Sequence, residues 1–192
     1  GGLAAPAPFD WPCRGATLAP LALGLPWGPY RTNCIGVADR GMIVFLATLA
    51  DHPVEAESLR PHYATKKELF RQRIGKANPC SVETVDLIRS LGGYRLAVVT
   101  SSGRLEVEPV LDRAGIRPHL GAIVFGDDVK RHKPAPDPYL LAAERLGVSR
   151  PLVVEDSDAG VASARAAGFD VIQVGGPADV AEAVRSRLEG QR

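Results

Sequence analysis

The chain is short of several things, and each shortage excludes something. Its 192 residues hold three cysteines, Cys13, Cys34 and Cys80, in no C-x-x-C pair. An odd, scattered set builds neither a disulfide framework nor a zinc site, and points to free thiols in a reducing cytoplasm. There is no basic excess, because 23 Lys+Arg stand against 22 Asp+Glu for a net charge of +1. A protein that grips the nucleic-acid backbone needs such an excess; nucleic acid is therefore not expected as a partner, whereas a small anion held by a local site is still possible. No apolar run approaches the roughly 18 residues of a membrane span. The stretch 16–25 is broken by Pro20 and has only Arg14 before it, so it makes a poor signal peptide. Lysine is scarce too, 5 against 18 Arg, which together with abundant Gly, Ala and Pro suggests a GC-rich, bacterial genome. What is present, 45% hydrophobic and 23% charged residues, is the balance of a folded globular chain. The length suits one domain, or one domain with a small second module. The first residue is Gly rather than Met, as in a processed chain or a fragment.

Residues 1–34 stand apart. They hold 11 of the Gly+Pro and only three charges, Asp10, Arg14 and Arg31. Six prolines interrupt every candidate element, which predicts a poorly ordered segment. Helical spacing begins after it. Met42, Ile43, Leu46 and Leu49 follow Asp39, a candidate cap. A second helix is predicted over 55–74, with Leu59, Tyr63, Leu69 and Phe70 on its apolar side. Pro61 kinks or splits it, and Lys66, Lys67, Glu68, Arg71 and Arg73 read as its solvated face. A third helix follows Ser81, with Val82, Val85, Ile88 and Leu91 apolar, and stops at Gly92-Gly93. The expected organisation is thus an atypical segment 1–34, a helical module 35–80 and a core 81–192.

In the core the pattern changes. Four short apolar runs appear at 96–99, 122–125, 152–154 and 171–174, with helical stretches at 106–114, 138–146 and 158–167 between them. Apolar runs without alternation, separated by helices, predict a parallel sheet covered on both faces. The fold class is α/β, a doubly wound, Rossmann-like parallel sheet with a partial helical cap. Right-handed crossovers place all strand ends on one edge, and ligands bind outside that edge.

Those ends carry Thr100-Ser101-Ser102, Gly126-Asp127-Asp128 and Glu155-Asp156-Ser157. Strand ends need turn residues anyway, and that explanation suits Asp127-Asp128. It does not explain Lys133-Pro134-Ala135-Pro136-Asp137-Pro138, where prolines stiffen the loop that carries a lysine. A lysine on a rigid loop beside acids suits a phosphoryl group, whose transfer depends on charge stabilisation. Thr100 and the neighbouring N–H groups can donate to phosphoryl oxygens. Glu155 and Asp156 are hard oxygen ligands that suit Mg²⁺. His52, His62, His119 and His132 show no metal-ligand spacing.

Val98-Val99-Thr100-Ser101-Ser102, Lys133-Pro134-Ala135-Pro136-Asp137-Pro138-Tyr139 and Val153-Val154-Glu155-Asp156-Ser157-Asp158-Ala159-Gly160 resemble, in order and spacing, motifs II, III and IV of the haloacid dehalogenase superfamily. The resemblance covers about residues 35–175 and is to the branch of β-phosphoglucomutase-like and phosphoglycolate-phosphatase-like enzymes. It implies Mg²⁺-dependent hydrolysis of a small phosphorylated metabolite through an aspartyl-phosphate. It assigns Thr100 to the phosphoryl group, Lys133 to nucleophile and phosphate, and Glu155 and Asp156 to the metal.

The family's first motif, D-x-D-G-T or a close variant, is not found. The only Asp ahead of the helical module is Asp10, and two residues on, at the acid/base position, stands Pro12. Proline has no proton to exchange, and Pro6 and Pro8 suit a central strand poorly. Residues 11–34 do not resemble the family's first cap helix. Two readings of this departure stay open. One is a reading frame damaged or shifted up to about Asn33-Cys34. The other is a non-catalytic relative that binds a phosphorylated metabolite or Mg²⁺ without turnover.

Overall fold

A computed structural model describes residues 12–14, 16–18, 25–34, 39–50, 54–74 and 80–190. Asp10 and the segment before it lie outside these residues.

Helix α1 (Trp27–Asn33) forms where no element is expected from the sequence. The reason is where its prolines fall. Pro26 is the N-cap, in extended conformation, and Pro29 is the third helical residue. The first-turn N–H groups have no partner inside a helix, so proline loses nothing there. The turn closes normally, Tyr30 N–H donating to the Pro26 carbonyl at 3.1 Å. Residues 12–14 and 16–18 are helical as well. Tyr30 and Cys34 are buried with Leu18 and Leu25 against Met42, Ile43 and Leu46 of α2 (Asp39–Ala47), and against Leu59 and Tyr63.

A 3₁₀ turn, Ala56–Leu59, precedes α3 (Arg60–Ile74), so the break predicted at Pro61 falls immediately before the second helical residue. Lys66 departs from its predicted place on a solvated face, being 4% exposed. In α4 (Val82–Ser90) the Ser81 hydroxyl accepts the Thr84 N–H at 3.2 Å, a side-chain N-cap. Val82 is exposed, because as the first helical residue it precedes the turn that packs.

The core then alternates: β1 (Ala97–Val99), α5 (Arg104–Ala114), β2 (Ala122–Val124), α6 (Asp137–Leu146), β3 (Leu152–Glu155), α7 (Asp158–Ala166), β4 (Asp170–Gln173) and α8 (Val180–Glu189). Among the described residues the strands form two parallel pairs, with Val99 opposite Val124 and Glu155 opposite Gln173. Glycines in left-handed conformation end α5 and α6, Gly115 at φ 65° and Gly147 at φ 63°.

The strands have a helix layer on each side. On one, Val98 packs with Ile88 of α4 and with Val110 and Leu111 of α5, and Phe70 of α3 and Cys13 join the same cluster. On the other, Val99 packs toward Tyr139 of α6, Val153 and Ala164 of α7. Successive residues of β1 thus serve opposite faces, as the pleat requires. Helix α8 covers β3 and β4 through Val180, Ala181 and Val184. This is the Rossmann-like α/β arrangement predicted from the apolar runs.

Candidate active site

Each strand that carries a candidate residue ends in a loop tied down by local bonds. After β1, the Thr100 N–H donates to the Val124 carbonyl at 2.9 Å, continuing the ladder by one residue. The Thr100 Oγ1 accepts the Ser102 N–H at 3.1 Å. A hydroxyl that accepts keeps its own proton to donate. The loop is pinned to the end of β2 by Gly126, whose N–H donates to the Ser102 carbonyl at 2.9 Å. A Cβ at Gly126 would lie 2.3 Å from the Ser101 carbonyl oxygen, so only glycine permits this approach.

The two acids after β2 hold structure together. Asp127 accepts the Arg104 N–H at 3.2 Å, capping α5 where Gly103 has no side chain to do so. Asp128 accepts the Phe125 N–H and pairs with Arg145 at 2.7 Å. Burial pushes the Asp128 carboxyl up, but hydrogen bonds from Arg145 and the Phe125 N–H, with the charges of Arg145 and Arg104, hold it below its ordinary value.

Lys133 and Glu155 form the centre of the site. Both side chains are 1% exposed, and the Lys133 ammonium donates to Glu155 Oε1. It also donates to the Val99 carbonyl at 3.3 Å and lies 4.8 Å above the Tyr139 ring. One ammonium thereby joins the end of β1 to the end of β3, which brings the two strand ends together. The Tyr139 hydroxyl donates to the same carboxylate oxygen at 2.6 Å. Glu155 Oε2 accepts from the Asp156 N–H, the Ser157 N–H and the Ser157 hydroxyl at 3.0–3.2 Å. Burial pushes the Glu155 carboxyl up. Nearby positive charge, including that of Lys133, and the bonds from Lys133 and Tyr139 outweigh it and hold the group well below the carboxylate range. Burial and the charge of Glu155 push the Tyr139 hydroxyl far up, so it remains a donor.

Asp156 is placed differently. It is half-buried, and among the described residues its carboxylate makes no hydrogen bond or ion pair. Asp156 lines one cavity with Thr100, Ser101 and Ser102. The donor set therefore splits: Glu155 spends both oxygens on protein donors, while Asp156 offers a hard carboxylate of the kind a divalent cation takes. Among the described residues no group of three or more His, Cys, Asp and Glu side chains comes together.

Two contributors went unnoticed in the sequence. Tyr139 stands inside the quoted motif without a role, because its partner lies 16 residues away and only the fold joins them. Gly160 is the second. A Cβ there would sit 2.1 Å from the Glu155 carboxyl carbon, so the carboxylate occupies the space that glycine leaves.

A parallel α/β core with hydroxyl, lysine and acids gathered at its strand ends puts the chain among the Rossmann-like α/β hydrolases. Residues 17–174 match the family described as haloacid dehalogenase-like hydrolase, and the chain belongs to it. The match begins at residue 17, so it takes in 17–34, which by sequence alone stood outside the resemblance. Over 93 residues the chain is 45% identical to a fructose-1-phosphate phosphatase of Escherichia coli (strain K12), 47% of this chain and 50% of that protein. Over 140 residues it is 31% identical to a phosphorylated carbohydrates phosphatase of Thermotoga maritima, 72% of this chain and 64% of that one. The chain thus spans between half and two thirds of these relatives. Among solved structures, CbbY from Rhodobacter sphaeroides in complex with phosphate matches with a TM-score of 0.74 at 26% identity, over 90% of this chain and 81% of that one. β-Phosphoglucomutase from Clostridium difficile shares the fold, with a TM-score of 0.80 at 16% identity over 94% and 83% of the two chains. No helix among the described residues is long and apolar enough to cross a membrane.

Proposed function

We propose that the chain hydrolyses a small phosphomonoester, a phosphorylated sugar or related metabolite, in an Mg²⁺-dependent reaction through an aspartyl-phosphate. The observation that carries this reading is the buried Lys133–Glu155 pair bound to the end of β1, beside the loop of Thr100. The phosphatase relatives above support the substrate class.

The residues divide the work as follows. The Thr100 hydroxyl, with its proton free to donate, and the loop N–H groups hold the phosphoryl oxygens. Lys133 supplies positive charge beside the reacting group, and Glu155 and Tyr139 hold it there. Preorganised charge of this kind costs no rearrangement when the transition state forms. Asp156 is the acid that would hold Mg²⁺, which when bound supplies charge neutralisation at the phosphoryl oxygens. The attacking carboxylate would be Asp10, the only Asp ahead of the helical module: its oxygen bonds to phosphorus as the bond from phosphorus to the ester oxygen breaks, and water then cleaves the acyl phosphate, releasing inorganic phosphate and returning the carboxylate. Pro12 cannot protonate that leaving oxygen, so leaving groups that depart unprotonated are favoured. Helices α2 and α3 of the helical module act as the cap over this edge.

The test is release of aryl alcohol from a generic aryl phosphate by the chain as written, with and without Mg²⁺. We expect turnover that chelation abolishes, and losses on the order of 10²-fold or more in Asp10→Asn and Lys133→Ala. A folded chain with no turnover, shown folded by circular dichroism, would replace this reading with that of a binding protein. Phosphate or Mg²⁺ binding by calorimetry would then be its remaining function.

A further inference from the structure

We propose that Lys66 and Glu106 are positioning residues. Their ion pair seats helix α3 of the helical module on helix α5 of the core, and so sets the shape of the cavity over the loop 100–102. The inference rests on the hydrolase reading above for its link to turnover. Its structural half stands without it.

The pair is built where a salt bridge is least useful for stability. The Lys66 ammonium lies 2.8 Å from Glu106 Oε1, with side chains 5% and 4% exposed. It also lies 5.2 Å above the Phe70 ring. Desolvating two charges costs about as much as their attraction returns, and apolar residues of similar volume often hold two elements together as well. Apolar contact lacks direction, whereas a buried ion pair admits one sideways and lengthwise placement of α3 on α5.

That placement bears on the candidate site. Glu106 sits in the first turn of α5, three residues after the cap Gly103, and its N–H donates to the Gly103 carbonyl at 3.1 Å. The same turn is held by Asp127 on the Arg104 N–H. The loop before it is held by Gly126 on the Ser102 carbonyl. Glu106 is therefore one short, braced turn away from the loop that presents Thr100. Lys66, Glu106, Thr100 and Asp156 line one cavity. Lys66 and Phe70 of α3 line it together with strands β1 and β3 and with residues of α4, α5 and α6.

The experiment compares Glu106→Gln and the double variant Lys66→Met/Glu106→Leu with the parent chain. It reads thermal midpoint, kcat and KM on an aryl phosphate, and amide hydrogen exchange over 60–74 and 100–106 by mass spectrometry. We expect the double variant to melt within about 3 °C of the parent, because the charges leave together. Its kcat/KM should still fall about 10-fold or more, with faster exchange in both segments. A double variant with parental melting, kcat/KM and exchange would overturn the proposal, since the pair would then only fill space. Should the double variant not fold, Glu106→Gln decides. Below its own melting temperature it should exchange faster in 100–106 as well as in 60–74, and parental exchange in 100–106 would overturn the proposal. Should the parent itself show no turnover, the hydrolase reading fails, and the exchange result still decides whether the pair seats the module.

Discussion

Among the described residues Glu155 accepts five hydrogen bonds, so a change at a neighbouring residue should disturb a buried, fully engaged carboxylate. Replacing Tyr139 by Phe keeps the ring under Lys133 and removes one donor to a buried carboxylate, a loss of about 1.5–3 kcal/mol. Gly160→Ala acts by a different route. Its new methyl would lie 2.1–2.4 Å from three atoms of the Glu155 carboxyl group. The carboxylate must move, and Lys133 with it. We expect about 1–3 kcal/mol of lost stability from overpacking, at the upper end because the displaced group is charged. Denaturant unfolding of the two variants checks both figures. A Gly160→Ala chain as stable as the parent would mean that Glu155 is not confined as described. Lys133, Glu155 and Asp156 could be picked out from the sequence because loop chemistry and motif order single them out. The different surroundings of Glu155 and Asp156 could not, because the two are adjacent acids in a string and only the fold sets them apart.

Whole elements were easier or harder to foresee according to where their prolines fall. The runs at 96–99, 122–125, 152–154 and 171–174 became β1 to β4 within a residue or two, since short apolar runs between helical stretches have few other uses. Helix α1 is hidden by its prolines, which read as breakers by composition, whereas Pro26 and Pro29 fall where a helix needs no donor. Charge alone puts Lys66 on the solvated face of α3, whereas the partner that buries it, Glu106, lies 40 residues on. The corner where β2 meets α5 and α6 yields a prediction of its own. Asp128 joins these elements through the Phe125 N–H, Arg104 and Arg145. Its carboxyl is held below the ordinary value of 3.8 in the fold. The unfolded chain therefore takes up this proton first. The stability that Asp128 contributes is fully present above about pH 4 and is lost as pH falls through its lower folded value. Acid titration of Asp128→Asn should show a shallower fall in stability below about pH 4 than the parent does. Superimposable acid limbs would remove Asp128 as a source of the acid sensitivity.

At the scale of the molecule, one of the four apolar clusters among the described residues lies in the helical module and another under α4 and α5 of the core, and the chain weaves between these two. Cys34 belongs to the cluster of the helical module with Leu46 and Tyr63. Cys80 belongs to the cluster of the core with Val98 and Leu111. Cys13, early in the chain, is buried in the core cluster and not in the helical one, and Phe70 of α3 joins it there. With the Lys66–Glu106 pair, these contacts link the two bodies at several points, which favours one cooperative transition over two. The thiols can report on it. Burial pushes the Cys80 thiol up to about 11, so at pH 8.5 it stays protonated and inert while the fold is intact. Urea unfolding at that pH, with alkylation read residue by residue by mass spectrometry, should give Cys34 and Cys80 the same midpoint. A Cys34 midpoint well below that of Cys80 would mean that the helical module opens first. The raised thiol also fixes a sign at alkaline pH. The unfolded thiol ionises near 9.0 and the folded one near 11, so stability should fall as pH rises between those values. Cys80→Ala should lose that part of the alkaline decline.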